Sequence, residues 1–304
     1  MKNLKKYREG DRLRIEDVIN SRVQSLTPIY FIAEVGINHN GNMNIAKSLI
    51  DEAKKSDCDA VKFQKRTIEK VYTKALLDEP RESPWGSTQR DQKLGLEFST
   101  DQFIELREYS REKSIDFAAS AWDLDSLTFI ESLNPDFHKV ASAFITNCEF
   151  LVAVAKLGRP TIVSTGMCRE SDIALAVEIF QDNKCPFMLL HTVSEYPCKE
   201  SELNLLYIQT LGKKFNINVG YSGHESSVSP SYCAAALGAK VIERHITLDR
   251  SMYGSDQSAS LEIEGLRRLV AGLRKYPGIL GSGEKTYSEK EKLIAKKLRY
   301  WESD

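Results

Sequence analysis

GYSGHESSVSPSYCAAALGAKVIERHITLDRSMYGSDQSASLE, residues 220–262, contains the ends of two short apolar runs, and each run finishes in a histidine. The first run is Ile217 to His224 and the second Val241 to His245. Between them Ser229-Pro230 reads as an N-cap and first helical residue, and Gly238 as the stop. Strand, crossover helix and next strand make a right-handed parallel βαβ unit. Such a unit sets both histidines at the carboxyl ends of neighbouring strands, where barrel enzymes keep their active sites. Side by side, two imidazoles can hold a divalent metal and leave other positions to water and substrate. One histidine at a strand end is an ordinary rim residue; two in succession, followed by Asp249 and Asp256, favour a metal site.

The same rhythm extends upstream. Residues 29–37, IYFIAEVGI, read as a buried strand, followed by a polar turn at 38–42 and a helix with apolar positions Ile45, Leu49, Ile50 and Ala53. Further strands are expected at 60–64, 116–120, 137–142, 161–165 and 187–191. Helices are expected near 101–113, 124–133, 147–158, 170–182 and 202–212. With the two histidine strands and a last helix near 260–275 this makes eight βα units, the arithmetic of a closed single (β/α)8 TIM barrel, class α/β. No GxGxxG follows the first strand, so an open dinucleotide-binding sheet is not indicated. The expected organisation is an N-terminal extension at 1–28 packing on the closed end of the barrel, a catalytic barrel at 29–285 and a tail at 286–304.

A long loop after strand 2, residues 65–100, breaks the alternation. It is charged and carries turn signals at Glu79-Pro80 and Pro84-Trp85-Gly86. Loops of this length inside a compact domain are usually lids or binding segments. Trp85, Arg81 and Arg90 are the side chains by which it could close over a substrate.

Composition narrows the classes. Basic residues number 42 against 43 acidic, so overall charge makes no case for nucleic acid or an anionic membrane. No run reaches the length of a membrane span, and the basic N-terminus lacks the apolar core of a signal peptide. The six cysteines show no paired spacing, which points to a reduced, cytoplasmic chain.

The strand ends supply the candidate chemistry. Lys62 and Lys139 sit in otherwise apolar runs, and a lysine is rarely buried without an anionic partner. With hydroxyls at Ser120, Ser142, Ser164 and Ser222 they form a cradle for a small doubly charged anion, such as a phosphate ester bearing a carboxylate. Each serine alone is more simply read as a hydroxyl satisfying nearby backbone. Glu34, the carboxylate of the first strand, suits general acid or base work, or an ion pair with one of those lysines. Asp256 could act similarly or hold a sugar hydroxyl. Gln64, His191, Ser194 and Tyr196 complete the rim.

Five segments carry a resemblance: IAEVGINHNG (32–41), HKVAS (138–142), STGM (164–167), SGH (222–224) and ERHITLD (243–249). Together, and in this order over residues 29–285, they resemble the N-acetylneuraminate (sialic acid) synthase family. The resemblance implies condensation of phosphoenolpyruvate with an open-chain N-acetylated amino sugar, with Mn2+ or Mg2+, to a nine-carbon 2-keto acid and phosphate. It implies that His224 and His245 bind the metal. Lys62, Ser120, Lys139, Ser142, Ser164, Ser194 and Ser222 would hold phosphoenolpyruvate. Gln64, Tyr196 and Asp256 would face the sugar, and Glu34, with Asp256 as the other candidate, would handle protons and water. A homodimer is the expected assembly.

Two departures from the family pattern stand out. Phe144 occupies a position where relatives carry an acidic residue. The chain also stops at Asp304, roughly where a linker to an antifreeze-like domain would begin; in relatives that domain supplies an arginine to the sugar, and the 65–100 segment is the expected substitute. A synthase for legionaminic, pseudaminic or another ulosonic acid is the alternative. A non-catalytic barrel would have lost ligands that this sequence keeps, and a pyruvate aldolase would not need the lysine–serine cradle.

Overall fold

The computed structural model describes residues 13–21 and 28–302. Its frame is a ring of parallel strands: β1 (Tyr30–Gly36), β2 (Ala60–Lys65), β3 (Asp116–Ala121), β4 (His138–Val140), β5 (Thr161–Ser164), β6 (Phe187–Thr192), β7 (Val219–Gly223) and β8 (Val241–Thr247). Around the ring they run β3-β2-β1-β8-β7-β6-β5-β4, so the chain's first and last barrel strands are neighbours. At the seam between β3 and β4, Asp136 donates its backbone N–H to the Phe117 carbonyl (3.0 Å) and accepts the Phe117 N–H on its carboxylate (2.8 Å). The (β/α)8 barrel expected from the alternation is the fold observed.

Every residue of β1 and β8 is buried, as in a parallel sheet covered on both faces. Side chains alternate, so each strand feeds two cores. Phe31, Val61, Phe117, Val163, Leu189 and Ile242 face the helices. Tyr30, Ile32, Ala118, Phe137, Ile162, Met188 and Val241 fill the barrel interior. The short helix Ile15–Ile19 brings Leu13, Ile15 and Val18 onto this inner core. Its terminal carbonyls are satisfied by Ser21, whose N–H and hydroxyl both donate to Val18, and by Asn218 Nδ2, which donates to Val18 (3.1 Å) and Ile19 (3.0 Å). Residues 1–12 and 22–27 of the expected N-terminal extension lie outside the described residues.

Local chemistry accounts for several helix boundaries. Asn147 caps Cys148–Lys156 by accepting the Phe150 N–H. Ser99 and Gln102 make a capping box at the start of Thr100–Glu112. The helix expected at 202–212 instead runs Tyr207–Phe215, because Asn204 takes a left-handed backbone (φ 45°) and interrupts the chain after a 3-10 turn at Glu200–Glu202. The crossover helix Ser229–Ala236 begins one residue earlier than expected, with Val228 at the cap position and Pro230 in its first turn. The last barrel helix spans Ile263–Leu280, beyond the expected end near 275, and includes Pro277.

The segment after β2 is not a structureless loop. It holds two one-turn helices (Ile68–Val71, Lys74–Leu77), a hairpin (Pro80–Ser83 with Gly86–Thr88) and the helix Gln89–Leu96, started by a Thr88–Asp91 capping box. All six cysteines are unpaired. No helix among the described residues is long and apolar enough to cross a membrane.

Candidate active site

Alternation places the site. Continuing the inward series of each strand from the apolar lower layers to the carboxyl ends reaches Glu34, Lys62, Ser120, Lys139, Ser164, Ser222 and His245, each two residues or a multiple of two above an inward apolar residue or glycine. They surround a cavity of about 180 Å³, which Gln64, Ser142, Ser194, Tyr196 and His224 also line. Asp256 reaches the same end, with a carboxylate oxygen 3.8 Å from His245 Nδ1. His191, by contrast, has the opposite parity and turns outward, where its ring nitrogen meets the Leu203 carbonyl at 2.6 Å.

The sequence reading missed Trp122, Thr192 and, with more consequence, Glu243, all of which line the cavity. Glu243 precedes His245 by two positions on β8, so the parity that aims His245 at the cavity aims Glu243 there too. It stands 3.6 Å from Lys139 Nζ and 4.0 Å from Lys62 Nζ, and accepts the Ser222 hydroxyl at 3.0 Å. Lys62 also pairs with Glu34 at 2.7 Å and donates to Ser120 Oγ at 3.2 Å. Lys139 donates to Ser164 Oγ at 2.7 Å. The ion pair that was one of two readings of Glu34 is therefore present, and Gln64 Nε2 donates to the other Glu34 oxygen at 2.9 Å.

These pairings set the protonation. Burial would raise the Glu243 carboxyl, but Lys139 and Lys62 overcome it and hold the group well below the usual carboxylate range. Burial would lower Lys62, yet Glu243 and Glu34 raise it above its ordinary value. For Lys139 burial prevails over Glu243, and with Lys62 nearby its ammonium is pulled down to about 8. Two lysines thus meet two carboxylates, and Asp256 adds a further negative charge at the rim.

The histidines lie beside each other, with ring centroids 5.6 Å apart, and Tyr196 lies 4.0 Å from the His224 ring. His224 Nδ1 sits 2.6 Å from the Val193 carbonyl; a hydrogen bond donated there leaves the lone pair on Nε2. Burial, with His245 nearby, lowers His224 to about 3, so its imidazole is neutral. His245 Nδ1 is buried and has no hydrogen-bond partner. Two imidazole nitrogen donors, one of them unsatisfied, next to a carboxylate suit a divalent first-row cation. A different grouping, Glu195, Cys198 and Glu202, also brings donor atoms together, but both its carboxylates are exposed on the surface.

Gly166 donates its N–H to Ser142 Oγ at 3.1 Å, and a Cβ there would come within 2.2 Å of Ser194 Oγ. Only glycine lets the backbone approach those two hydroxyls so closely. Phe144 carries no charge into the site. It packs edge-on against Trp122 at 5.6 Å.

The excursion after β2 borders this mouth, and of the three side chains expected to close over it Arg90 is turned to other partners. Arg90 is bound to Glu69 (2.7 Å) and Asp78 (3.2 Å) within the excursion itself. Trp85 lies across Gly95 and meets Tyr253 edge-on at 5.6 Å, which ties the excursion to the segment bearing Asp256.

The sequence and fold have counterparts among known proteins. The NeuB family profile matches residues 49–285. N-acetylneuraminate-9-phosphate synthase of Homo sapiens is 41% identical over 261 residues, covering 85% of this chain and 73% of that protein. N,N'-diacetyllegionaminic acid synthase of Legionella pneumophila is 36% identical over 281 residues, covering 90% of this chain and 79% of that protein. The crystal structure of N-acetylneuraminic acid (sialic acid) synthetase from Leptospira borgpetersenii superposes with a TM-score of 0.79 at 34% identity, covering 91% of this chain and 94% of that one. With matched residues spanning most of the barrel, histidine strands included, the chain belongs to the NeuB family, whose members named here are synthases of sialic and related ulosonic acids.

Proposed function

We propose that the chain condenses phosphoenolpyruvate with an open-chain N-acyl amino sugar, N-acetylmannosamine or a related sugar, giving a nine-carbon 2-keto acid and phosphate. The observation that carries this reading is the single cavity in which Lys62, Lys139 and the hydroxyls of Ser120, Ser164 and Ser222 face His224 and His245.

In this reading Lys62, Lys139 and the hydroxyls hold the carboxylate and phosphate of phosphoenolpyruvate by charge-assisted hydrogen bonds. Ser142, whose Oγ accepts the Gly166 N–H, can donate its own hydroxyl to the same substrate. Gln64, Tyr196 and Asp256 orient the sugar so that its aldehyde carbon faces C3 of phosphoenolpyruvate. A divalent cation, Mn2+ or Mg2+, held by His224 and His245 with Asp256 beside them, would supply a Lewis acid for the aldehyde oxygen. It fits the electrostatics too: Glu34 and Glu243 already cancel the two lysines, so a further cation is what makes the cavity attractive to a polyanion.

The bond formed is C3 to the aldehyde carbon, and the carbonyl electron pair becomes an alkoxide that takes a proton. The electron-poor C2 then adds water, whose proton passes to a carboxylate, and Glu34 is the buried one that Lys62 and Gln64 hold in place. The resulting tetrahedral centre expels phosphate by C–O cleavage, with a lysine stabilising the leaving charge.

The test is incubation with phosphoenolpyruvate, Mn2+ and a panel of N-acyl amino sugars, including the diacetamido precursors of legionaminic and pseudaminic acids. Phosphate release and product mass are followed. Consumption of phosphoenolpyruvate with a product heavier than the sugar by one pyruvate is expected. No turnover with any sugar would sink the reading.

A further inference from the structure

His224 and His245 are held in place by different means. His245 lies inside β8, where it pairs in register with Glu34 of β1. His224 is the first residue beyond β7, and the ladder between β7 and β8 ends one step earlier, with Gly223 opposite Arg244. The contacts of His224 itself run the other way, to the segment after β6. The Cys198 N–H donates to its carbonyl at 3.1 Å, and its Nδ1 meets the Val193 carbonyl at 2.6 Å. Neither contact fixes its distance from His245.

The residue after His224 and the residue before His245 supply that link, on the far side of the sheet from the cavity. Arg244 Nη1 lies 2.7 Å from Glu225 Oε1, and both side chains are completely buried. The Tyr221 hydroxyl donates to the second Glu225 oxygen at 2.7 Å. The same guanidinium donates to the carbonyls of Glu225 and Ser227, the latter at 2.9 Å, and to Ser231 Oγ of the crossover helix at 3.0 Å. Arg250 donates to the Ser226 carbonyl between them at 3.0 Å. Three successive carbonyls after His224 are thus held by two arginines, one in β8 and one just beyond it. Gly223 makes the room: a Cβ there would come within 2.7 Å of both the Glu225 carboxylate and the Tyr221 ring.

Stability does not account for the pair. Burying two opposite charges carries a desolvation cost that well-packed apolar side chains of similar volume avoid. Compensation is incomplete as well, because Arg244 Nε is buried with no hydrogen-bond partner. What a guanidinium fork on a carboxylate and two carbonyls supplies, and apolar residues do not, is a fixed geometry.

We propose that Arg244 and Glu225 are positioning residues, whose ion pair behind the sheet sets the separation of His224 and His245 and so the spacing of the two metal-binding nitrogens. The link between the strands stands on its own geometry; its consequence for a metal rests on the metal-site reading above.

The test is the double variant Arg244→Met with Glu225→Leu, which removes both charges together and leaves neither buried alone. Arg274→Met, which loses its pairs with Asp57 and Asp59 at the closed end of the barrel, is the control for stability by itself. Mn2+ is titrated calorimetrically into each protein, and Co2+ spectra are recorded beside thermal melts. The double variant should melt close to the parent, bind Mn2+ about ten- to a hundredfold more weakly and shift the visible bands of bound Co2+. Arg274→Met should melt lower and bind Mn2+ as the parent does. Arg244→Lys keeps the charge but not the fork, and stands in with the same expected loss if the double variant does not fold. Parental affinity and spectra in the folded variant would overturn the positioning role, as would an equal loss in Arg274→Met. A parent that binds no Mn2+ would overturn the metal reading alone, and hydrogen exchange then decides. Faster exchange of the Cys198 N–H in the folded variant supports the positioning role, and equal exchange overturns it.

Discussion

Glu243 stands 3.6 Å from Lys139, and the two belong to strands on opposite sides of the barrel interior. Because Glu243 also faces Lys62 at 4.0 Å, it is shared by both buried ammonium groups, with Glu34 on Lys62 as the second counter-charge. Replacing it by the isosteric Glu243→Gln keeps the shape but leaves two buried cations with one carboxylate. Breaking a buried pair in this way costs about 3 kcal/mol. Urea denaturation should show a loss of that order. Phosphoenolpyruvate should restore more stability to the variant than to the parent, since its anionic groups replace the lost charge. A variant as stable as the parent would show that Glu243 does not perform this balancing.

His224→Ala and His245→Ala should each remove measurable Mn2+ binding in calorimetry, because each deletes a nitrogen donor from a set of two. Asp256→Asn should weaken it by about tenfold, the effect of a supporting carboxylate. Unaltered Mn2+ affinity in both alanine variants would move the metal elsewhere, with Glu195, Cys198 and Glu202 as the next place to look.

The Lys139 ammonium, pulled down to about 8 by burial, is charged below that pH and loses its proton as pH rises through it. If the charged form holds phosphoenolpyruvate, kcat/KM for that substrate should be level below this value and fall about tenfold per pH unit above it. Lys139→Arg keeps its charge, so whatever activity it retains should lack this limb. A limb that persists in the arginine variant belongs to another group.

Gly166→Ala should raise the KM for phosphoenolpyruvate sharply with little loss of fold stability, because the added methyl drives into the hydroxyls of Ser194 and Ser142 rather than into the apolar core. Steady-state kinetics beside a thermal melt separates the two effects. A large fall in Tm with an unchanged KM would make Gly166 a structural glycine.

Trp85→Ala should detach the excursion from Tyr253, leaving the ring-shaped barrel folded. Limited proteolysis should then cut within 80–95 at least several times faster, and the sugar KM should rise while that for phosphoenolpyruvate changes little. Equal cleavage rates would mean that the Trp85–Tyr253 contact does not hold the excursion.

Most of the barrel was legible because it is written in short-range patterns. The apolar runs, the helix faces such as Ile173, Ala176, Val177 and Phe180, and caps such as Asn147 all act within a few residues. Errors occurred where one backbone conformation decided the matter, as at the left-handed Asn204 that delays the helix to Tyr207. Nor was the structure inside 65–100 readable, since its hairpin and short helices lack the apolar periodicity of the barrel elements.

The sequence by itself determined the parity of each strand, and with it which side chains look inward: Glu34, Lys62, Lys139, His245 and, had the parity been followed, Glu243. That information is local, because successive residues of a strand face opposite ways whatever the rest of the chain does. Only the tertiary structure decided which of these meet. Closing the ring puts Glu243 between two lysines more than 100 positions away in the chain, turning a free cationic cradle into a charge-balanced one. It also brings the Asp256 segment to the excursion after β2, through Trp85 and Tyr253. Ion pairing depends on separations of a few ångströms, and such separations between distant segments are set by barrel closure and register, not by any pattern along the chain.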